Sequence, residues 1–427
     1  MATTDKMSRS QATTADLNSP LLTLLNRTKL YWGLIILLVF GALTSPLTSK
    51  GNNIFLSIGN LTDVLRQVSV TGIVAVGMTM VIFLAGIDLS VGSVLALGTV
   101  ICAMLLTQEG WTAASMFAVP ATGTVVFVCL FFFIGFMRRS AQGVGAEMSA
   151  SGSERSVKLL IALVCGGVAM WWLASQVDSK FGVLAVLLAV PCVGAVMGAI
   201  NGSLIVHGRL QPFIVTLAMM VGALGLARVV AGQDTAVHPV YTGSNATEHF
   251  EVLRMLIWGV LPVPGVVFLV VLALAFFLTR FTTFGSYLLA IGGNEEASRL
   301  AGIDVARIKI STYAIAGALS ALAGILYVAQ FRQGKPDAGL GLELDAIAAV
   351  VIGGTSLMGG RGAILGTFVG VLIFGFLSNI LQLNNIDSNT QLILKGLIIV
   401  AAVLLQEGRL EEFFAAVKEG LFWRKRL

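Results

Sequence analysis

The chain has 427 residues, 56% hydrophobic and only 11% charged, with a mean hydropathy of +0.91. Its apolar residues come in blocks near twenty long, the length a helix needs to cross a bilayer, which excludes an ordinary water-soluble domain. Without the alternating pattern of barrel strands, the blocks predict an all-α polytopic transmembrane helical bundle. The net charge of +5 comes from basic residues spread over loop ends, a pattern that reports membrane orientation and argues against a nucleic-acid partner.

In chain order, residues 1–29 are polar and read as a cytoplasmic N-terminal tail without the apolar core of a secretory signal. Apolar runs follow near 30–46, 61–85, 90–106, 114–136, 159–176, 181–206, 212–230, 255–279, 310–330, 362–381 and 390–406. They predict about 10 spans, within a membrane domain over 30–406. A shorter apolar segment at 344–357 cannot cross at about 1.5 Å per residue, so it reads as a broken or re-entrant half-helix that ends in the glycines of GGTSLMGGRG, 353–362. Glu343 and Asp345 fall in its first turn, near the outer face. Residues 137–158, rich in Gly, Ser and Ala, read as a flexible cytoplasmic insertion, 280–309 as a cytoplasmic loop and 407–427 as a cytoplasmic tail. On this topology the inner loops carry 18 Lys and Arg and the outer loops five, which places both termini in the cytoplasm.

Glycine supplies 48 residues. It recurs every fourth position at Gly194, Gly198 and Gly202 and again at Gly362, Gly366 and Gly370, the spacing that lets helix backbones approach. Either seam could lie within one protomer or between two. The four cysteines sit singly in apolar runs, as inert thiols rather than metal ligands.

No GxxxxGK[ST] phosphate cradle is present, so any ATP that drives this chain binds another. The histidines avoid the middles of the spans and no HExxH occurs, which argues against an intramembrane protease. Asp88, in GIDLSVG at 86–92, reads either as a cap on the helix that follows or as a group facing a translocation path, with Ser90 beside it. Asn201, Thr355 and Ser356 are neutral hydrogen-bonding groups suited to a sugar pathway; Asn201 is as readily a bond between helices.

One stretch interrupts the apolar pattern with charge: GGNEEASRLAGID, 292–304. Asn294 can cap a short helix, Glu295 and Glu296 suit its first turn, and Gly302 suits a left-handed stop. Glu295 and Arg299 stand i, i+4 in the favourable order. Ala297, Leu300 and Ala301 leave a small apolar patch. So short a helix needs a docking surface, and the residues alone leave this reading level with a solvated loop.

This stretch resembles the cytoplasmic coupling loop of bacterial ABC importer permeases of the ribose, xylose and arabinose type. Glu296, Ala297 and Gly302 match that pattern, and Ser298 stands where alanine is usual. NLTDVLRQ at 60–67, GIDLSVG, Asn201-Gly202, the 343–357 block and GGRG at 359–362 resemble the same family in the same order. The resemblance implies a permease in the bacterial inner membrane, usually a homodimer. It also implies a separate ATPase chain that holds ATP-Mg and docks at 294–302, and a soluble sugar-binding protein outside. The permease itself would bind no cofactor and catalyse no reaction. A permease for another small polar ligand, or a stand-alone facilitator or symporter, remains the alternative.

Overall fold

The computed structural model describes residues 20–49, 51–142, 152–232 and 236–406. Fourteen α-helices carry the fold among them: α1 (Pro20–Thr44), α2 (Ile58–Phe83), α3 (Val91–Thr107), α4 (Ala113–Gln142), α5 (Gly152–Ala174), α6 (Val183–His207) and α7 (Pro212–Ala231) come first. They are followed by α8 (Val263–Phe281), α9 (Thr283–Gly293), α10 (Glu295–Leu300), α11 (Val305–Phe331), α12 (Leu342–Ile352), α13 (Ile364–Leu383) and α14 (Ser388–Gln406). Eight stretches, in α2, α4 to α8, α11 and α13, are long and apolar enough to cross a membrane, and α3 and Tyr31–Thr44 of α1 are shorter apolar helices. The protein is an all-α polytopic bundle.

The bundle is built around α11, which packs on α6, α3 and α2. Its seam with α6 consists of unsubstituted backbone: a Cβ on Gly194 would overlap the Gly317 carbonyl, one on Gly198 the Tyr313 carbonyl, and one on Gly202 the Ile310 backbone. This seam therefore lies within the protomer. Gly366 and Gly370 of α13 meet the carbonyls of Gly353 and Ala349 in the same way, so α13 runs antiparallel to α12. Gly362 departs from that stripe. It precedes α13, in a loop at φ 157°, where a Cβ would strike Phe83 and Thr355.

Several boundaries differ from those the sequence predicts. Helix α1 begins at Pro20, inside the stretch read as a tail; residues 1–19 and 407–427 lie outside the described residues. Helix α4 runs on to Gln142 and α5 starts at Gly152, and 143–151 of the predicted insertion lie outside the described residues. The span read at 255–279 starts at Val263, because Pro262 and Pro264 suit a helix start and not its interior. Before it, Leu256–Ile257 and Leu261–Pro262 pair as a hairpin whose tip, Trp258 and Gly259, has positive φ.

The half-helix expected at 344–357 is α12, 11 residues long. Unexpectedly, the chain enters it from within the bundle. After α11, Gln333–Gly334 pair with His238–Pro239, and the run of turns beyond, 335–341, leads back along α3. The Thr99 hydroxyl donates to the Lys335 carbonyl at 2.9 Å and accepts the Lys335 N–H at 3.2 Å, and Gly339 lies on the Gly92 backbone. Irregular backbone at this depth is tolerated because protein polar groups pair it.

Candidate coupling helix and buried helix break

Helix α10 is the charged stretch at 294–302. The Asn294 side chain accepts the Ala297 N–H at 2.9 Å, which caps the helix. Gly302, at φ +83°, closes it in the left-handed conformation while Ile303 N–H returns to the Ser298 carbonyl at 3.1 Å. Ser298 is buried, and its hydroxyl donates to the Asn294 carbonyl at 2.8 Å. Serine at this position thus satisfies its hydroxyl on the preceding turn of its own segment and can face inward without an unpaired donor. The opposite face is bare: Glu296, Ala297, Arg299 and Ala301 are exposed, and Leu300 is 83% exposed.

Two ion pairs meet on Glu295. Arg299 lies 3.4 Å away along the same helix, and Lys309 reaches it from α11 at 2.6 Å. The first pair lies within one helix and is legible from its i, i+4 spacing; the second needs the turn at 301–304, which folds α11 back on α10. Asp304 caps α11 by accepting the Arg307 N–H at 3.1 Å. On the other side α9 buries Leu288 and Ile291. A Cβ on Gly292 would overlap the Phe83 carbonyl, which also accepts the Gly360 N–H at 3.1 Å.

The second feature is the break between α2 and α3. Ala85 turns the chain at φ +57°. Asp88 then accepts two hydrogen bonds from Ser90, at 2.9 Å from its N–H and 2.6 Å from its hydroxyl. The N-cap position of α3 is Ser90, whose side chain makes no cap bond; Asp88 supplies the carboxylate that takes a backbone N–H at the break. Asn201 extends the chain, its Nδ2 donating to Ser90 Oγ at 3.0 Å, and the Thr216 hydroxyl donates to the Ile87 carbonyl at 3.1 Å. Asp88, Ser90, Asn201 and Thr216 are all buried. Asn201 Oδ1 and the Tyr313 hydroxyl have no hydrogen-bond partner among the described residues.

The structure therefore brings Asp88, Ser90 and Asn201 into one hydrogen-bonded chain that ties α3 to α6, sealed inside the protomer. Thr355 is buried separately in the loop after α12, and Ser356 is half-buried there, its N–H donating to the Arg361 carbonyl at 3.0 Å. Among the described residues no group of His, Cys, Asp and Glu is arranged to hold a metal.

A profile described as the branched-chain amino acid transport system permease component matches residues 160–403. The chain is 38% identical over 376 residues to the ribose import permease protein RbsC of Escherichia coli, covering 87% of this chain and 92% of that protein. It is 36% identical to RbsC of Haemophilus influenzae, covering 84% and 88%, and 32% identical to the xylose transport system permease protein XylH of Escherichia coli, covering 82% and 85%. The chain belongs to this family of ABC import permeases. No solved structure matches it. As a permease it is a multi-pass membrane transport subunit.

Proposed function

We propose that this permease imports a ribose- or xylose-like monosaccharide, received from a soluble binding protein on one side of the inner membrane and driven by ATP hydrolysis on a separate chain at the other. The observation that carries the reading is α10: a capped helix with Ser298 buried on one face and the other, around Leu300, left bare beside the 27-residue α11. In this reading the ATPase, with its ATP-Mg, seats that bare face. The pair between Glu295 and Lys309 then passes the displacement to α11 and so to Tyr313 beside the break. Such a rigid linkage suits a bundle that switches between two packings.

The permease would act as two copies and bind no cofactor itself. The excess of Lys and Arg on the α10 side supports cytoplasmic termini. The sugar is proposed from the relatives' names. The experiment is reconstitution of the chain with its ATPase and binding protein in proteoliposomes, followed by uptake of labelled ribose and xylose. ATP-dependent uptake of either supports the proposal, and uptake by the chain alone without ATP would replace it with a facilitator.

A further inference from the structure

The re-entrant segment carries ionisable groups where lipid would not tolerate them. Thr99, which pairs with the Lys335 backbone, is the ninth of the 17 residues of α3. Lys395, the eighth of the 19 residues of α14, pairs with Asp345 at 2.8 Å. Its ammonium lies 6.0 Å from the ring of Phe374, the eleventh of the 20 residues of α13. These neighbours put Asp345 at mid-span, not near the outer face as its sequence position suggested. The ion pair is not enclosed either: the Asp345 side chain is 30% exposed and Lys395 18%. Along the segment Asp337 is 52% exposed and bridges to Lys335 at 3.4 Å, Glu343 is half-buried, and Leu340 and Leu344 are exposed.

Ionisable side chains within a span turn to protein or to a water-filled cavity, not to hydrocarbon. Asp88, Ser90 and Asn201 are buried, whereas this strip presents charged side chains that are partly exposed. We propose that residues 335–345, with Lys395 opposite, line a water-filled translocation route on the protomer's surface, whose charged groups hydrogen-bond the hydroxyls of a neutral polyhydroxylated solute. This rests on the importer reading and locates its path. The two lysines are each paired with an aspartate, which leaves Glu343 as the one carboxylate of the strip without an ion pair among the described residues. The strip therefore offers donors and acceptors side by side with a small negative balance, a lining suited to the hydroxyls of an uncharged polyol and unfavourable to an anion.

The test is thiol labelling of the full chain in proteoliposomes, in a background with Cys102, Cys129, Cys165 and Cys192 replaced by alanine. A charged methanethiosulfonate, applied to both faces, should modify Leu344→Cys on the order of tenfold faster than Leu274→Cys, an exposed position of the apolar helix α8. Equal, slow labelling at both positions would overturn the proposal. In the assembled importer Lys395→Gln should lower ribose uptake several-fold, and the exchange of Asp345→Lys with Lys395→Asp should restore part of it. Loss of uptake in Lys395→Gln without any rescue by the exchange would reduce the pair to a packing contact and also overturn the proposal. Fast labelling at Leu344→Cys in a chain whose uptake needs no ATPase would uphold the water route and overturn the importer reading instead.

Discussion

Lys309 crosses from α11 to place its ammonium 2.6 Å from the Glu295 carboxylate, so the exposed helix α10 and the bundle's central helix are joined by charge as well as by the chain. Lys309 is 15% exposed and Glu295 42%, so in stability terms the pair ranks with surface bridges, at about 0.2–1 kcal/mol.

Replacing Lys309 by Met should leave expression and thermal stability within about 1 kcal/mol while lowering sugar uptake per ATP hydrolysed several-fold. Parallel uptake and phosphate-release assays measure that ratio. An unchanged ratio would show that α10 moves α11 through the turn at 301–304 alone.

Leu300→Asp, at an 83% exposed position, should leave the permease folded and monodisperse but weaken its capture of the ATPase by about 1–3 kcal/mol, the range of a contact residue in a docking site. Pull-down of the ATPase on immobilised permease reports it. Gly302→Pro tests the same helix from its end, since φ +83° is closed to proline.

Gly198→Val should destabilise the bundle by about 1–3 kcal/mol or more, because the new side chain must displace the Tyr313 carbonyl. Gly222→Ala, with open space around its Cβ position, should be neutral or stabilise by up to about 1 kcal/mol. Thermal unfolding in detergent distinguishes the two.

Asp88→Asn keeps an acceptor for the two Ser90 donors and should fold normally. Asp88→Leu strands them in a buried site and should cost about 1–3 kcal/mol. Equal melting temperatures for the two variants would mean that water reaches the break.

The loop between α7 and α8 should loosen on acidification. The Thr242 hydroxyl, first, and then Arg254 and Arg332 hold the Glu251 carboxyl below the ordinary glutamate value. A depressed folded pKa contributes stability above the unfolded value of about 4.3 and loses it as pH falls through the folded value. Hydrogen exchange across 236–255 should therefore accelerate below about pH 4, and Glu251→Gln should remove the pH step.

Local rules carried much of this fold to the reader of its sequence. The Asn294 cap, the Gly302 stop and the span pattern each depend on a few adjacent residues, and each is legible as such. Three things were not. The Glu295 partner on α11 depends on a reversal of the chain that propensity does not encode. The re-entrant path of 335–341 depends on a threonine some 236 positions away in sequence. The start of α8 was hidden because Leu256, Ile257, Val260 and Leu261 are as apolar as a helix, and only the prolines at 262 and 264 mark the hairpin. Asp88 was legible as a residue that organises a break; its enclosure, which depends on Asn201 and Thr216, was not.

The Phe83 carbonyl has a mechanical consequence. It ends α2, receives the Gly360 N–H, and lies against Gly292 with no side chain between. Three segments remote in sequence therefore share one pivot of bare backbone, with no compliant side chain to absorb a tilt. A tilt of α9 would pass directly to the end of α2 and to the loop after α12.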